Sequence, residues 1–261
     1  MNRFITALQF LTVFRVKGGG VVAPDMLARS MSLFPLVGAV QGAVIAGAAL
    51  GLSLFLPWTV ASALALALLV ITTGGLHLDG FADTVDGLAG GTTPEERLRI
   101  MKDPAAGPIG VVFLVLLILV KYLAVMELPA LWRLPVLFAF PVAGRWAMVP
   151  MACLAGYARD SGGLGKSFAS NSSSTLLIAT AVAAAVLFLA LGLRGLVVLA
   201  VLGAWTWPVT IFFRRRLGGV TGDVFGFHNE VAELVFLLLC LALAGLGAGP
   251  GVGGFPAGMP G

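Results

Sequence analysis

Seven stretches of roughly 20 apolar residues run through the chain, at 31–56, 57–76, 108–127, 132–154, 174–193, 195–213 and 231–248. As helix, each is long enough to cross the ~30 Å of hydrocarbon in a bilayer. Only 11% of the residues are charged, against about 25% in soluble domains, so lipid must be the solvent for most of the chain. The sequence therefore predicts an all-α fold, a polytopic transmembrane helix bundle of about seven spans. Little more than Pro57 separates the first two stretches, which are expected to form a tight hairpin. Residues 1–248 read as a single transmembrane domain. The tail 249–261 is rich in Gly and Pro, has nothing to pack, and is expected to be disordered.

The basic residues are distributed unevenly. On seven spans, Arg3, Arg15, Lys17, Arg29, Arg97, Arg99, Lys102, Arg159, Lys166, Arg214, Arg215 and Arg216 fall on one side, and only Arg133 and Arg194 on the other. This positive-inside bias places the N-terminus in the cytoplasm and the C-terminus outside. Basic residues grouped in loops between apolar runs set membrane orientation and are no nucleic-acid footprint; the partner they imply is the lipid bilayer. The N-terminal segment does not read as a cleaved signal, since its short apolar run meets Arg15 and Lys17 directly and no small-residue cleavage site follows. It reads as an amphipathic or partly embedded helix. Cys153 and Cys240 are far apart inside apolar runs, which predicts two packed thiols and neither a disulfide framework nor a metal site.

Acids are scarce, twelve in all, and three of them lie in HLDGFADTVDGL, residues 77–88. On a helix, Asp79, Asp83 and Asp86 fall within about 60° of one another and share a stripe. Carboxylates four residues apart repel, and charge beside hydrocarbon costs about 2.5–3.5 kcal/mol per residue at a helix centre. A compensating cation is expected. Hard oxygen ligands without Cys or convergent His favour Mg²⁺, with Mn²⁺ as a substitute. Such ions take phosphate oxygens from substrate, which points to phosphoryl transfer. The plainer reading is a hydrated polar loop at the membrane edge. The tight spacing, the interleaved Gly80 and Gly87 and the scarcity of acids elsewhere favour the metal.

Next comes a capping box, Thr93 to Glu96 with Pro94 at the first helical position, opening a short amphipathic helix that ends before Pro104. Lys102 and Asp103 close it, ordinarily as a surface pair. A second acidic set, Asp223, Glu230 and Glu233, with His228 and Asn229, is expected in the loop 214–230 and the first turn of the last span. There acids also complement the helix dipole. Residues 159–168, RDSGGLGKSF, miss the P-loop pattern, because Asp160 stands where it requires glycine. Arg159 and Lys166 can still hold phosphate. Lys121 and Arg145 lie inside apolar spans, where an ionisable group is costly and often functional. His77 and His228 flank the acidic sets. Each is a candidate base, although a hydrogen-bonded structural role is commoner.

These residues resemble those of the cobalamin synthases, also called adenosylcobinamide-GDP ribazoletransferases. The resemblance is carried by GGLHLDGFADTVDGL at 74–88, with FLTVF at 10–14 and ARSMSLFPLVG at 28–38 before it. MKD at 101–103, GPIGV at 107–111, GRW at 144–146, YAR at 157–159, GLG at 163–165, GGVTGD at 218–223, and Asn229, Glu230 and Glu233 follow in the family's order. The chain departs from the pattern in lacking prolines around Lys17–Gly20 and in having Pro104 after Asp103; neither is a ligand candidate. The acidic run is also similar to that of CDP-alcohol phosphotransferases, but without their arginine and fourth aspartate at the expected spacing.

The resemblance implies a Mg²⁺-dependent enzyme of the cell (inner) membrane with its site on the cytoplasmic face, the 1–248 domain being catalytic. It implies that a ribose hydroxyl of α-ribazole, or of its 5′-phosphate, attacks the phosphorus attached to cobinamide in adenosylcobinamide-GDP. GMP leaves, and adenosylcobalamin or its 5′-phosphate forms. In that reading Asp79, Asp83 and Asp86 bind the metal and, with His77 and Asp103, form the catalytic group. Lys102, Arg145, Arg159, Lys166, Asp223, Asn229, Glu230 and Glu233 bind substrate. Association of copies is left open. Two rival functions fit the composition: an ion-coupled transporter, whose acids would sit near the bilayer midplane rather than at cytoplasmic helix ends, and a phosphotransferase that makes phospholipid.

Overall fold

The structure, a computed structural model, describes residues 2–15, 24–155, 158 and 173–247. The stretch containing Arg159 and Lys166, and the tail 249–261, lie outside them. The described chain is helical: α1 (Arg3–Leu11), α2 (Pro24–Ser30), a 3₁₀ turn (Met31–Leu33), α3 (Phe34–Leu52), α4 (Trp58–Thr73), α5 (Leu76–Gly90), α6 (Pro94–Ile100), α7 (Pro108–Met126), α8 (Ala130–Leu154), α9 (Ser173–Leu191), α10 (Leu193–Leu217) and α11 (Gly222–Gly247). Among the described residues, six helical segments are long and apolar enough to cross a membrane, and the bent pair of α4 and α5 makes up to seven. Cys153 and Cys240 are free thiols.

Helix α8 is the central post. From Val136 to Ala152 almost every residue is buried, Arg145 included. Pro135, Pro141 and Pro150 interrupt its backbone ladder, which neighbouring helices make tolerable inside a bundle. Helix α3 runs against it at close range: a Cβ on Gly42 would lie 1.9 Å from the Phe138 carbonyl oxygen, and one on Gly38 2.6 Å from that of Pro141. In lipid, where apolar surface alone does not drive helices together, such small-residue contacts give the dispersion gain that does.

Two features depart from the expected spans. The second stretch does not simply run out into a loop at residue 77. Gly74 (φ 62°) and Gly75 (φ 72°) are left-handed, a conformation that costs other residues a steric penalty. They turn the chain by 86° into α5. The last helix begins at Gly222, not 231, so Asp223 stands in its first turn and His228, Asn229, Glu230 and Glu233 lie further along it rather than in a loop or a first turn. An apolar count missed those turns because their polar side chains face protein instead of lipid.

Helix α6 follows the sequence closely. Thr93 caps it with Glu96 in a reciprocal capping box behind Pro94. The Thr92 hydroxyl (2.5 Å) and the Thr92 and Thr93 backbone N–H groups donate to Glu96, holding its carboxyl below the usual range. The Arg97 guanidinium donates to the Arg216 carbonyl at 3.1 Å, tying α6 to the end of α10.

The α3–α8 contact makes a direct prediction. Gly42→Ala should destabilise the bundle by about 1–3 kcal/mol through overpacking. Gly47→Ala, with nothing within 4 Å of the added Cβ, should be neutral or slightly stabilising. Thermal midpoints of the two proteins in one detergent check this; equal midpoints would show that the close approach is not real.

Candidate functional site

The acidic stripe read from the sequence forms. Asp79, Asp83 and Asp86 all lie on α5, which packs along α11 through two glycines. A Cβ on Gly80 would be 2.8 Å from the Asp223 carbonyl oxygen, and one on Gly226 3.0 Å from that of His77. The backbones meet there, so Asp223 on α11 stands beside the first turn of α5.

The stripe divides between two cavities. Asp79, His77 and Asp223 line one of about 170 Å³, walled by Phe10, Met31, Phe34 and Met148. Asp83, Asp86 and Asp103 line another of about 280 Å³, together with Arg99 and Gly107. His77 is buried and neither ring nitrogen has a hydrogen-bond partner, contrary to the structural role that is commoner for such a residue. His228 does take that role: it stacks on Trp205 (4.9 Å between centroids) and its Nε2 lies 3.1 Å from the Thr206 hydroxyl. Lys102 and Asp103 are exposed at the end of α6, where the Asp103 carboxylate accepts from the Ala105 N–H at 3.0 Å.

Of the second acidic set, Asp223 is half-buried in the first turn of α11, while Glu230 and Glu233 are buried further along it. At 1.5 Å per residue, Glu230 and Glu233 lie about 12 and 16 Å along α11, well inside the helix rather than at its terminus. Lys121 of α7 bridges them, pairing closely with Glu230 and at 2.7 Å with Glu233. Arg145 of α8 pairs closely with Glu233 and donates to the Asn229 side-chain oxygen at 3.1 Å. Asn229 donates in turn to both glutamates, at 3.2 and 3.3 Å. A Cβ on Gly144 would come within 2.6 Å of Glu233, so that glycine makes the approach of α8 to α11 possible.

Two cations and two anions thus cancel in the bundle interior. Isolated, each would be expensive in hydrocarbon; paired and hydrogen-bonded, they hold three helices in one register. They line a cavity of about 430 Å³ whose other walls are mostly apolar, among them Leu66, Ala67 and Val70 of α4 and Phe140 of α8, with Thr73 and Tyr122 beside them. The sequence flags Lys121 and Arg145 as buried charges but gives no sign that Lys121 joins Glu230 and Glu233, because that pairing spans more than 100 residues.

Among the described residues no three His, Cys, Asp or Glu side chains form a ready-made metal cage. The donors present nevertheless suit Mg²⁺, which keeps several waters and needs only one or two carboxylates beside substrate phosphates. Asp79 with Asp223, and Asp83 one turn along, are such oxygen donors.

Comparison with known proteins follows the same lines. The model of the cobalamin-5-phosphate synthase family matches residues 3–241. An adenosylcobinamide-GDP ribazoletransferase of Geotalea daltonii is 38% identical over 247 residues, covering 94% of this chain and 99% of the relative. One from Pseudomonas syringae pv. syringae is 42% identical, covering 93% of this chain and all of the relative. One from Desulforamulus reducens is 37% identical, covering 89% and 94%. No solved structure matches the chain.

The buried charges carry a stability prediction. Glu233→Ala leaves Lys121 and Arg145 short of an anion and should cost about 3–5 kcal/mol, the usual effect of breaking a buried ion pair. Replacing Lys121 and Glu230 together by Leu removes one charge of each sign and should cost much less. Thermal unfolding in detergent reads both; a Glu233→Ala protein as stable as the parent would contradict the pairing.

Proposed function

We infer that the chain, which belongs to the cobalamin-5-phosphate synthase family, performs the transfer named by its relatives, moving the cobinamide phosphate of adenosylcobinamide-GDP to α-ribazole or α-ribazole 5′-phosphate. A ribose hydroxyl attacks the phosphorus esterified to cobinamide. The bond from that phosphorus to the bridging oxygen breaks, GMP departs with the oxygen, and the hydroxyl proton passes to a base. The observation that carries this reading is the crossing of α5 and α11, which sets Asp79 and Asp223 at one cavity with Asp83 a turn away.

Asp79, Asp83 and Asp223 would hold Mg²⁺ borne by the GDP pyrophosphate. When bound, the ion neutralises negative charge that builds on the departing phosphate. His77 is buried at the same cavity with both ring nitrogens uncommitted, which supports it as the group that would take the hydroxyl proton. Lys102, Arg159 and Lys166 add positive charge for phosphate, and Asp103 adds an acceptor beside Asp83. The 430 Å³ cavity is too small for a corrinoid but within the range of small-ligand sites. Its apolar walls and balanced charges suit the uncharged aromatic base of α-ribazole, with Lys121, Arg145, Glu230 and Glu233 at its polar end and Asn229 behind them, hydrogen-bonded to Arg145 and both glutamates.

The orientation follows from the basic residues: N-terminus cytoplasmic, C-terminus outside, and the carboxylates of α5 facing the cytoplasm of the inner membrane. Residues 1–248 act as one catalytic domain. Glutamates locked to Lys121 and Arg145 are poor ion-coupling groups, which weighs against transport.

The test is a membrane-fraction assay with adenosylcobinamide-GDP and α-ribazole 5′-phosphate, following GMP and corrinoid mass with and without Mg²⁺. Product should require Mg²⁺, and Asp79→Asn should lower the rate by about 10²–10³-fold, as loss of one charge-stabilising group does. Ala67→Phe, which fills the apolar cavity, should raise KM for the ribazole substrate and leave KM for adenosylcobinamide-GDP unchanged. Full activity of Asp79→Asn, or product formed without divalent ions, would overturn the metal assignment.

A further inference from the structure

Asp86 shares a helical stripe with Asp79 and Asp83 but makes contacts of a different kind. Its Oδ2 accepts from the backbone N–H of Gly107 and its Oδ1 from that of Gly110, both at 2.8 Å. Gly107 is the N-cap of α7, with Pro108 at the first helical position, and has no side chain to cap the helix. An N-cap side chain ordinarily accepts from the N–H two or three residues on. In a capping box, the acid at the third helical position accepts from the N-cap N–H. Asp86 does both, with one carboxylate that comes from another helix. Its negative charge also sits where the dipole of α7 favours it.

The two glycines are shaped to this contact. A Cβ on Gly107 would lie 2.4 Å from one Asp86 oxygen, and one on Gly110 2.3 Å from the other and 2.8 Å from the Ala82 carbonyl oxygen. Asp86, Gly107 and Gly110 therefore form one dock between α5 and α7. The short segment from Met101 to Gly107, which carries Lys102 and Asp103, is strung between α6 and this dock, beside Asp83.

We propose that Asp86 is the capping residue of α7, a positioning residue that fixes the Lys102–Asp103 loop against Asp83, and not a third ligand of the metal. The inference deepens the phosphotransfer reading and rests on it for the loop's role; the dock itself does not. Asp86→Asn keeps the size of the side chain but puts an N–H₂ where one of the two backbone donors needs an acceptor. Gly110→Ala leaves the carboxylate intact and pushes the partners apart. Both act on the dock by different chemistry.

The experiment uses the full chain in detergent or nanodiscs. It compares the parent with Asp86→Asn, Gly110→Ala and Asp79→Asn. Amide hydrogen exchange over residues 101–112 reads the dock, Mn²⁺ alone, followed by electron paramagnetic resonance, reads the metal, and GMP release against Mg²⁺ concentration reads the reaction. Asp86→Asn and Gly110→Ala should each speed exchange over 101–112 by about tenfold or more, as loss of a charge-assisted hydrogen bond does. Both should lower kcat and leave Mn²⁺ affinity and the Mg²⁺ requirement near those of the parent. Asp79→Asn should do the reverse, weakening Mn²⁺ binding with exchange unchanged. Weakened Mn²⁺ binding in Asp86→Asn with exchange like the parent's would overturn the proposal. So would unchanged exchange in both dock variants. If the parent releases no GMP, the phosphotransfer reading fails, while the exchange comparison still decides the dock.

Discussion

Four ionised side chains inside a hydrocarbon-solvated bundle constrain everything around them. Lys121, Arg145, Glu230 and Glu233 come from α7, α8 and α11, and none can leave its place without stranding a charge. The cost of desolvating each is large and is offset only by close pairing, with Asn229 satisfying further acceptors and donors. Hydrocarbon on the outside makes this stricter than in a soluble core, because water cannot move in to relieve a misplaced ion. The three helices are thereby held in one relative register. Helix α11 in particular cannot slide or rotate along α8.

What α11 transmits is the position of the carboxylates. Its Asp223 carbonyl and Gly226 meet Gly80 and the His77 carbonyl of α5 at backbone contact distance, so α5 follows α11 closely. The two left-handed glycines at 74 and 75 free α5 from the direction of α4 and let it turn by 86°. A stretch that would otherwise continue out of the membrane becomes a shelf across the bundle, with three aspartates along its length. Charge deep in the bundle is neutralised within the protein; along the shelf, Asp86 is taken up by the Gly107 and Gly110 N–H groups, while Asp79 and Asp83 line two cavities.

Much of this was legible in the sequence, and the failures have identifiable causes. The apolar stretches locate the spans because lipid imposes a length on them. The aspartate stripe and the Thr93–Glu96 capping box are local periodicities that tertiary contacts did not disturb. The start of α11 at Gly222 was hidden because polar residues facing the protein interior look like loop to an apolar count. The partnership of Lys121 with Glu230 and Glu233 joins residues more than 100 positions apart, and a single sequence carries no local mark of it. Asp86 was read with Asp79 and Asp83 because spacing alone treats the three alike; only the placement of the Gly107 and Gly110 N–H groups sets it apart. The free ring of His77 could not be foreseen either, since its surroundings come from α1, α3, α8 and α11 as well as its own helix.

The central claim, that carboxylates on α5 hold a divalent ion against the pyrophosphate, is tested most directly by changing the ligand atom and the metal together. Asp79→Cys replaces a hard oxygen donor with a soft sulfur one, which binds Mg²⁺ poorly and Cd²⁺ or Mn²⁺ better. Single-turnover GMP release by this variant should be nearly abolished in Mg²⁺ and recover substantially when Cd²⁺ or Mn²⁺ is added, with no such gain for Asp79→Ala. Recovery in neither, from protein that unfolds at the same temperature as the parent, would contradict a metal ligand at Asp79.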